Sequence, residues 1–276
     1  MSQASDRLIL FDYSGTLSLE APAFAHPERL RKELEISGLH ALGIQTPEIF
    51  WERVANPTWE EGSTTPAGYR QIIRRQVERL SPRAGLPPAD DEALRAASRF
   101  VDRYLEHSRP DEGWQPLLQA LSGQAAVVAI VTDHYAEATG AILKHLRAWR
   151  IPAAPVKEAS TGGAPGTVLV ANSADLGAHK ADRRFWEAIR GRLPAGRPVR
   201  VLLIDDFGAN EQEGDAYADR GKVEQRRRQT ATLLKEVFGG NVQDFFFRLR
   251  ADAGHLLKAR RIEEVSRVVG RFLEGQ

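Results

Sequence analysis

The 276 residues contain no cysteine, which excludes disulfides, thiolate metal ligands and cysteine nucleophiles together. Lysine is scarce, 7 against 31 arginines, so a lysine standing at a motif position is less a matter of accident than usual. Net charge is nearly absent as well. The 38 basic and 37 acidic side chains leave +1, and no nucleic acid or other polyanion is expected as a partner. No stretch approaches the ~18 consecutive apolar residues of a membrane span, so no membrane partner is expected either. The opening MSQASDRLILFDYS has no cationic start and reaches a charge within six residues, unlike a secretion signal. The expectation is a cytoplasmic protein. What remains is an ordinary globular composition, 42% hydrophobic and 27% charged, long enough for one large α/β core or two smaller ones.

Three apolar runs read as core strands: Leu8–Phe11, AAVVAIVT at 125–132 and RVLLID at 200–205. Each is short, rich in β-branched residues and closed by a polar residue, the pattern of a strand buried on both faces. GTVLVAN at 166–172 is a weaker fourth, and DFFFRL at 244–249 a possible last one. Helical spacing fills the gaps, in EATGAILKHLRAW, in ADRRFWEAIRGRL with Asp182 placed as its N-cap, and in two long segments past residue 222. Strand alternating with helix predicts a Rossmann-like parallel sheet wrapped by helices. Residues 21–111 differ. PERLRKELEISGL, GYRQIIRRQVERL and DDEALRAASRFVDRYLEH are helical patterns with no convincing strand between them. The predicted organisation is a core from 1–20 and 112–276 and a helical lobe, 21–111, over the strand ends. STGGAPGT at 160–167 lacks the Gly-Lys-Ser/Thr ending of a phosphate loop and reads as a connection.

Ligands of open parallel sheets gather beyond the carboxyl ends of the strands. Those ends carry Asp12, Thr132, Asp205 and Asp206, and Lys180 follows the weaker strand shortly before a helix. A carboxylate able to attack phosphorus, a hydroxyl, an ammonium and a carboxylate pair form a coherent set for phosphoryl transfer. Asp12 with Asp205–Asp206 offers hard oxygen donors of the kind Mg²⁺ prefers. Thr132 and Lys180 can hold the transferring oxygens.

With these four pieces in this order, the chain resembles the haloacid dehalogenase (HAD)-like hydrolase superfamily. FDYSGTLS resembles its first motif, Asp-x-x-Gly-Thr after a strand, and Thr132 in AIVTD its strand-end hydroxyl. Lys180 in AHKADRRFW resembles the third motif, and LIDDFGAN the acidic fourth. The likeness covers residues 5–20 and about 115–215, and the helical lobe falls where the family places a cap. The resemblance implies that Asp12 is nucleophile and metal ligand, with the Ser14 carbonyl, Asp205 and Asp206 as further Mg²⁺ ligands and Asn210 behind them. It implies that the turn of Tyr13, Ser14 and Gly15, with Thr132, Asp133 and Lys180, binds the phosphoryl oxygens.

One position departs from the family's phosphomonoesterases, where the residue two after the nucleophile is a second aspartate that protonates the leaving alcohol. Here it is Ser14, and such help is worth about 10²–10⁴-fold. Four readings follow. The first is an Mg²⁺-dependent phosphohydrolase or phosphotransferase acting on a small phosphorylated molecule, whose leaving group departs unaided or draws its proton from the helical lobe or the substrate. The second is a phosphonate (P–C) hydrolase using a lobe lysine, for which Lys32 is the one lysine before position 143. The third is a dehalogenase, against which the pair Asp205–Asp206 counts, and the fourth a low-turnover binding module. His134 and His179 flank the site as candidate proton donors. Trp51, Trp59 and Tyr69 belong to the lobe core or line a pocket, and Arg226–Arg228 read as a solvated helix face.

Overall fold

The computed structural model describes residues 6–80, 90–124, 126–160, 166–194, 198–211, 220–249 and 254–275. Most of the STGGAPGT connection, residues 161–165, lies outside the described residues. Six parallel strands form one sheet in the order β3-β4-β2-β1-β5-β6. They are β1 (Arg7–Asp12), β2 (Val127–Thr132), β3 (Ala153–Pro155), β4 (Val168–Asn172), β5 (Val199–Asp205) and β6 (Gly239–Phe246).

Helices α1 (Ala21–Phe24), α2 (Pro27–Ser37), α3 (Pro47–Phe50), α4 (Asn56–Thr64), α5 (Tyr69–Leu80) and α6 (Asp90–His107) all fall between β1 and β2. The rest accompany the sheet: α7 (Gln115–Ser122), α8 (Glu137–Ala148), α9 (Ser173–Leu176), α10 (Arg183–Arg190), α11 (Arg220–Phe238) and α12 (His255–Glu274). The near-continuous apolar strands are explained by burial on both faces. Side chains alternate across a strand, so Ile9 and Phe11 of β1 pack with Leu118, Leu146, Val265 and Phe272 on one side. Leu8 and Leu10 meet Phe185, Trp186, Leu234 and Phe238 on the other. The result is a three-layer α/β architecture, as the alternation of strand and helix predicts.

Two strands depart from the sequence reading. β3 was not foreseen; it is three residues long and contains Pro155, which an edge strand tolerates because one side of it needs no ladder donor. β6 begins at Gly239, not at Asp244. Two glycines at its start look like a turn, but a side chain on Gly240 would stand 2.1 Å from the Val199 carbonyl oxygen. The missing Cβ lets β6 reach its neighbour early, and Phe247 leaves the strand to sink into the core beside Trp114.

The helices between β1 and β2 enclose an apolar cluster of their own, with Leu34, Phe50, Ile72, Val77 and Phe100 at its heart. The segment 47–64 carries no obvious helical period, yet α3 runs through a wide π-helical turn (Trp51–Ala55) directly into α4. Pro57 has no N–H for the Arg53 carbonyl, and the helix widens just ahead of it. This lobe is tied to the sheet side by partly buried polar contacts. Glu137 of α8 accepts from the first amides of α5, Tyr69 N at 2.7 Å and Arg70 N at 3.1 Å. Gly62 lets α4 approach Tyr135 so closely that a Cβ would lie 2.4 Å from its ring. No helix among the described residues is long and apolar enough to cross a membrane.

Candidate active site

Strand β1 delivers Asp12, and the register of its neighbours brings the other strand ends level with it. Asp12 pairs with Val131, one residue before Thr132, and Phe11 pairs with Ile204, one before Asp205. All of these side chains are buried. Lys180 joins them from the turn ahead of α10, its ammonium 2.5 Å from Asp12 Oδ1 and 3.1 Å from Asp205 Oδ2. The lysine is held at its backbone from two sides. Its N–H donates to Asp133 Oδ1 at 2.8 Å, and its carbonyl accepts from the Trp186 indole at 2.7 Å. Asp133 thus spends an oxygen on positioning Lys180, while Asp182 caps α10 through Arg184 N as the sequence predicts.

The Gly-Thr of the first loop has a local reason. Gly15 has φ +74, and a Cβ there would stand 2.5 Å from Asp206 Oδ2. Thr16 Oγ1 accepts the Asp206 amide at 3.1 Å, so the two residues together fit the loop onto the acidic pair. Asn210 completes the join. Its amide donates to the Gly15 carbonyl at 2.7 Å and the Phe247 carbonyl at 2.9 Å, and its oxygen accepts from Leu249 N at 2.8 Å. Of the turn amides read as a phosphate cradle, that of Gly15 is engaged by the Ser18 carbonyl at 2.9 Å.

Among the described residues, Asp12, Asp205 and Asp206 can each turn a carboxylate oxygen to within 4.8 Å of the other two. Three buried acids face one lysine, and for Asp12 and Asp206 burial in this crowded acidic setting favours the protonated form. Burial raises Asp12 to about 7, with Asp205 adding to the rise and Lys180 opposing it. Asp206 is driven well above the usual carboxylate range by burial and by the charges of Asp12, Asp205 and Glu211. Asp133 rises through burial, against the pull of Lys180. A small divalent cation fits this donor set. The oxygens are hard, already convergent and short of positive charge, and Gly15 leaves the space beside Asp206 clear.

The histidines lie at the seam with the helical lobe. His134 Nδ1 accepts the Tyr135 amide at 2.8 Å, leaving Nε2 to bond the Tyr104 hydroxyl at 2.7 Å. Burial lowers it to about 4, so at neutral pH it is an uncharged wall residue with no proton to spare. His179 contacts α4, with Nε2 2.6 Å from Ser63 Oγ and its ring parallel to Trp59. Tyr69 stacks on Tyr135 at 3.7 Å, joining lobe and core, whereas Trp51 is partly exposed beside Phe50. Lys32 is exposed on α2, with no contact to the strand-end cluster among the described residues. The three arginines are not simply a solvated face. Arg226 donates to the Phe207 carbonyl and Arg227 pairs with Asp244 at 2.5 Å, while Arg228 remains exposed.

Glu211 is the residue that sequence reading passed over. Its Oε1 accepts from Ser14 Oγ at 3.5 Å across 197 residues of chain. Its one sequence signal is its place directly after Asn210 in the acidic loop.

The sheet order, the helices on both faces and a strand-end carboxylate cluster define an α/β protein with an acidic centre at the carboxyl ends of its strands. Its fold is that of the haloacid dehalogenase-like proteins. The 2-haloacid dehalogenase of Pseudomonas syringae pv. tomato superimposes with a TM-score of 0.53 at 18% identity, over 96% of this chain and 99% of that one. Lesser likenesses are to the magnesium-bound HAD-hydrolase YfnB of Bacillus subtilis (TM-score 0.48, 17% identity, 95% and 97% covered) and the L-2-haloacid dehalogenase of Xanthobacter autotrophicus (0.41, 14%, 92% and 86%). No protein-family model and no curated protein sequence matches the chain.

Proposed function

We propose that the chain is a Mg²⁺-dependent HAD-like phosphohydrolase acting on a small phosphorylated molecule through an aspartyl-phosphate at Asp12. The observation that carries this reading is Lys180 bridging Asp12 and Asp205, with Asp206 as a third convergent carboxylate. In this reading Asp12, Asp205 and Asp206 hold the cation, which supplies positive charge against the phosphoryl oxygens. Lys180 fixes Asp12 Oδ1 and leaves the carboxylate's other oxygen to attack phosphorus. Thr132 and the Lys180 ammonium meet the transferring oxygens, fixed donors that need no reorganisation as charge builds. Residues 21–111 act as the cap, bringing α4 and α6 over the strand ends and keeping bulk water from the acyl phosphate.

Dehalogenation would make no use of three convergent carboxylates as a cation site, since an Asp12 ester of a haloacid needs no cation. A phosphonate hydrolase would need an amine at the reacting carbon, and exposed Lys32 on α2 does not supply one. A panel of phosphorylated metabolites, assayed for phosphate release with and without Mg²⁺, tests the proposal. Turnover should need the metal and vanish in Asp12→Asn. Phosphate release that survives Asp12→Asn, or chloride release from 2-chloropropionate in its place, sinks it.

A further inference from the structure

Ser14 leaves the first loop without a group that can handle the leaving oxygen's proton, yet a carboxylate stands against it. Glu211 Oε1 lies 3.5 Å from Ser14 Oγ, two residues along the chain from the nucleophile. The backbone aims it there. After β5 the chain turns through left-handed conformations at Phe207 (φ 52) and Gly208 (φ 81), and Ala209 N returns to the Asp206 carbonyl at 2.8 Å. Asn210 N donates to Asp206 Oδ2 at 2.8 Å, while its side chain holds the Gly15 carbonyl. The residue after Asn210 is thereby set beside the loop that carries Ser14.

We propose that Glu211 supplies the general acid–base function that Ser14 lacks, so that substrates with ordinary alcohol leaving groups are within reach. The proposal rests on the phosphohydrolase reading above. In the first half-reaction an Asp12 oxygen bonds phosphorus as the ester P–O bond breaks, and protonated Glu211 gives its proton to the departing alkoxide. In the second, a water attacks phosphorus and passes a proton to the Glu211 carboxylate. The bond from Asp12 to phosphorus then breaks, which restores the Asp12 carboxylate, protonated Glu211 and free phosphate. Ser14, already hydrogen-bonded to Glu211, orients the carboxyl without exchanging a proton of its own.

The test compares two esters with Mg²⁺: glycerol phosphate, whose alkoxide needs a proton, and 4-nitrophenyl phosphate, whose leaving group departs without one. Glu211→Gln should lose about 10²–10⁴-fold on the first and only a few-fold on the second. Glu211→Ala should show the same split, and adding Ser14→Asp to Glu211→Gln should recover much of the glycerol phosphate activity. Equal losses on both esters, or none on either, overturn the role of Glu211 while phosphate release that still requires Asp12 leaves the phosphohydrolase reading standing. Wild-type protein that releases phosphate from neither ester, or Asp12→Asn that releases it from both, overturns that reading and the role of Glu211 with it.

Discussion

Asn210→Ala is the perturbation that most directly probes how the acidic loop is held. Asn210 makes three side-chain hydrogen bonds to backbone groups, two as donor to Gly15 and Phe247 and one as acceptor from Leu249. A net hydrogen bond contributes about 1 kcal/mol, and a partner left unsatisfied away from water costs about 1–3 kcal/mol. Site half-burial lets water reach some of the orphaned groups, so a loss of about 3 kcal/mol is expected. That is a substantial share of the ~5–15 kcal/mol by which domains are stable. Asn210→Asp should cost more than Asn210→Ala, because a carboxylate cannot donate to the Gly15 and Phe247 carbonyls and adds charge beside Asp206. Urea unfolding of the three proteins reads the difference as a shift in midpoint at constant slope. If either variant unfolds within about 0.5 kcal/mol of wild type, the bracing of this loop by Asn210 is wrong.

Gly15→Ala places a side chain in a left-handed conformation, a cost of about 1–2 kcal/mol, and pushes Asp206 aside. Calorimetric titration should show Mg²⁺ affinity reduced at least about tenfold, as expected when the support of a ligand is disturbed; unchanged affinity would remove Asp206 from the metal set. His134 makes stability fall in acid. Its folded value of about 4 lies below its ordinary 6.5, so both states are neutral above pH 6.5 and only the unfolded chain takes the proton between 6.5 and 4. Stability attributable to His134 is thus lost as pH falls through that window, about 3 kcal/mol in all. His134→Asn, whose side-chain oxygen can still accept the Tyr135 amide, should flatten that slope in denaturation measured from pH 7 to 4. An identical slope in both proteins would show that His134 is not buried neutral.

Four of the six strands could be read directly, because a strand covered on both faces must be apolar along its centre, as Leu8–Phe11, Val127–Val131, Val168–Ala171 and Val201–Ile204 are. The same reasoning exposed Asp12, Thr132 and Asp205, since a polar residue ending a buried run stands out. β3 escaped because three residues with a proline carry no period, and the start of β6 because its glycines serve close packing and not a turn. The helix through 47–64 was hidden by Pro57 and Gly62, which serve a π-turn and the approach to Tyr135. Glu211 was hidden for another reason: an acid in a polar loop looks like any solvated acid until the fold sets it against Ser14. The same blindness applied to Asp133 and His134, whose roles as braces depend on partners 47 and 30 residues away.

The central claim is that Asp12 itself carries the phosphoryl group. The direct measurement is acid quenching of the wild-type protein during turnover of 4-nitrophenyl phosphate with Mg²⁺, followed by borohydride reduction and peptide mass spectrometry. The expected result is reduction confined to Asp12, lost when Mg²⁺ is withheld and absent from Asp12→Asn. Steady phosphate release with Asp12 unmodified, or with the modification on another residue, would contradict it.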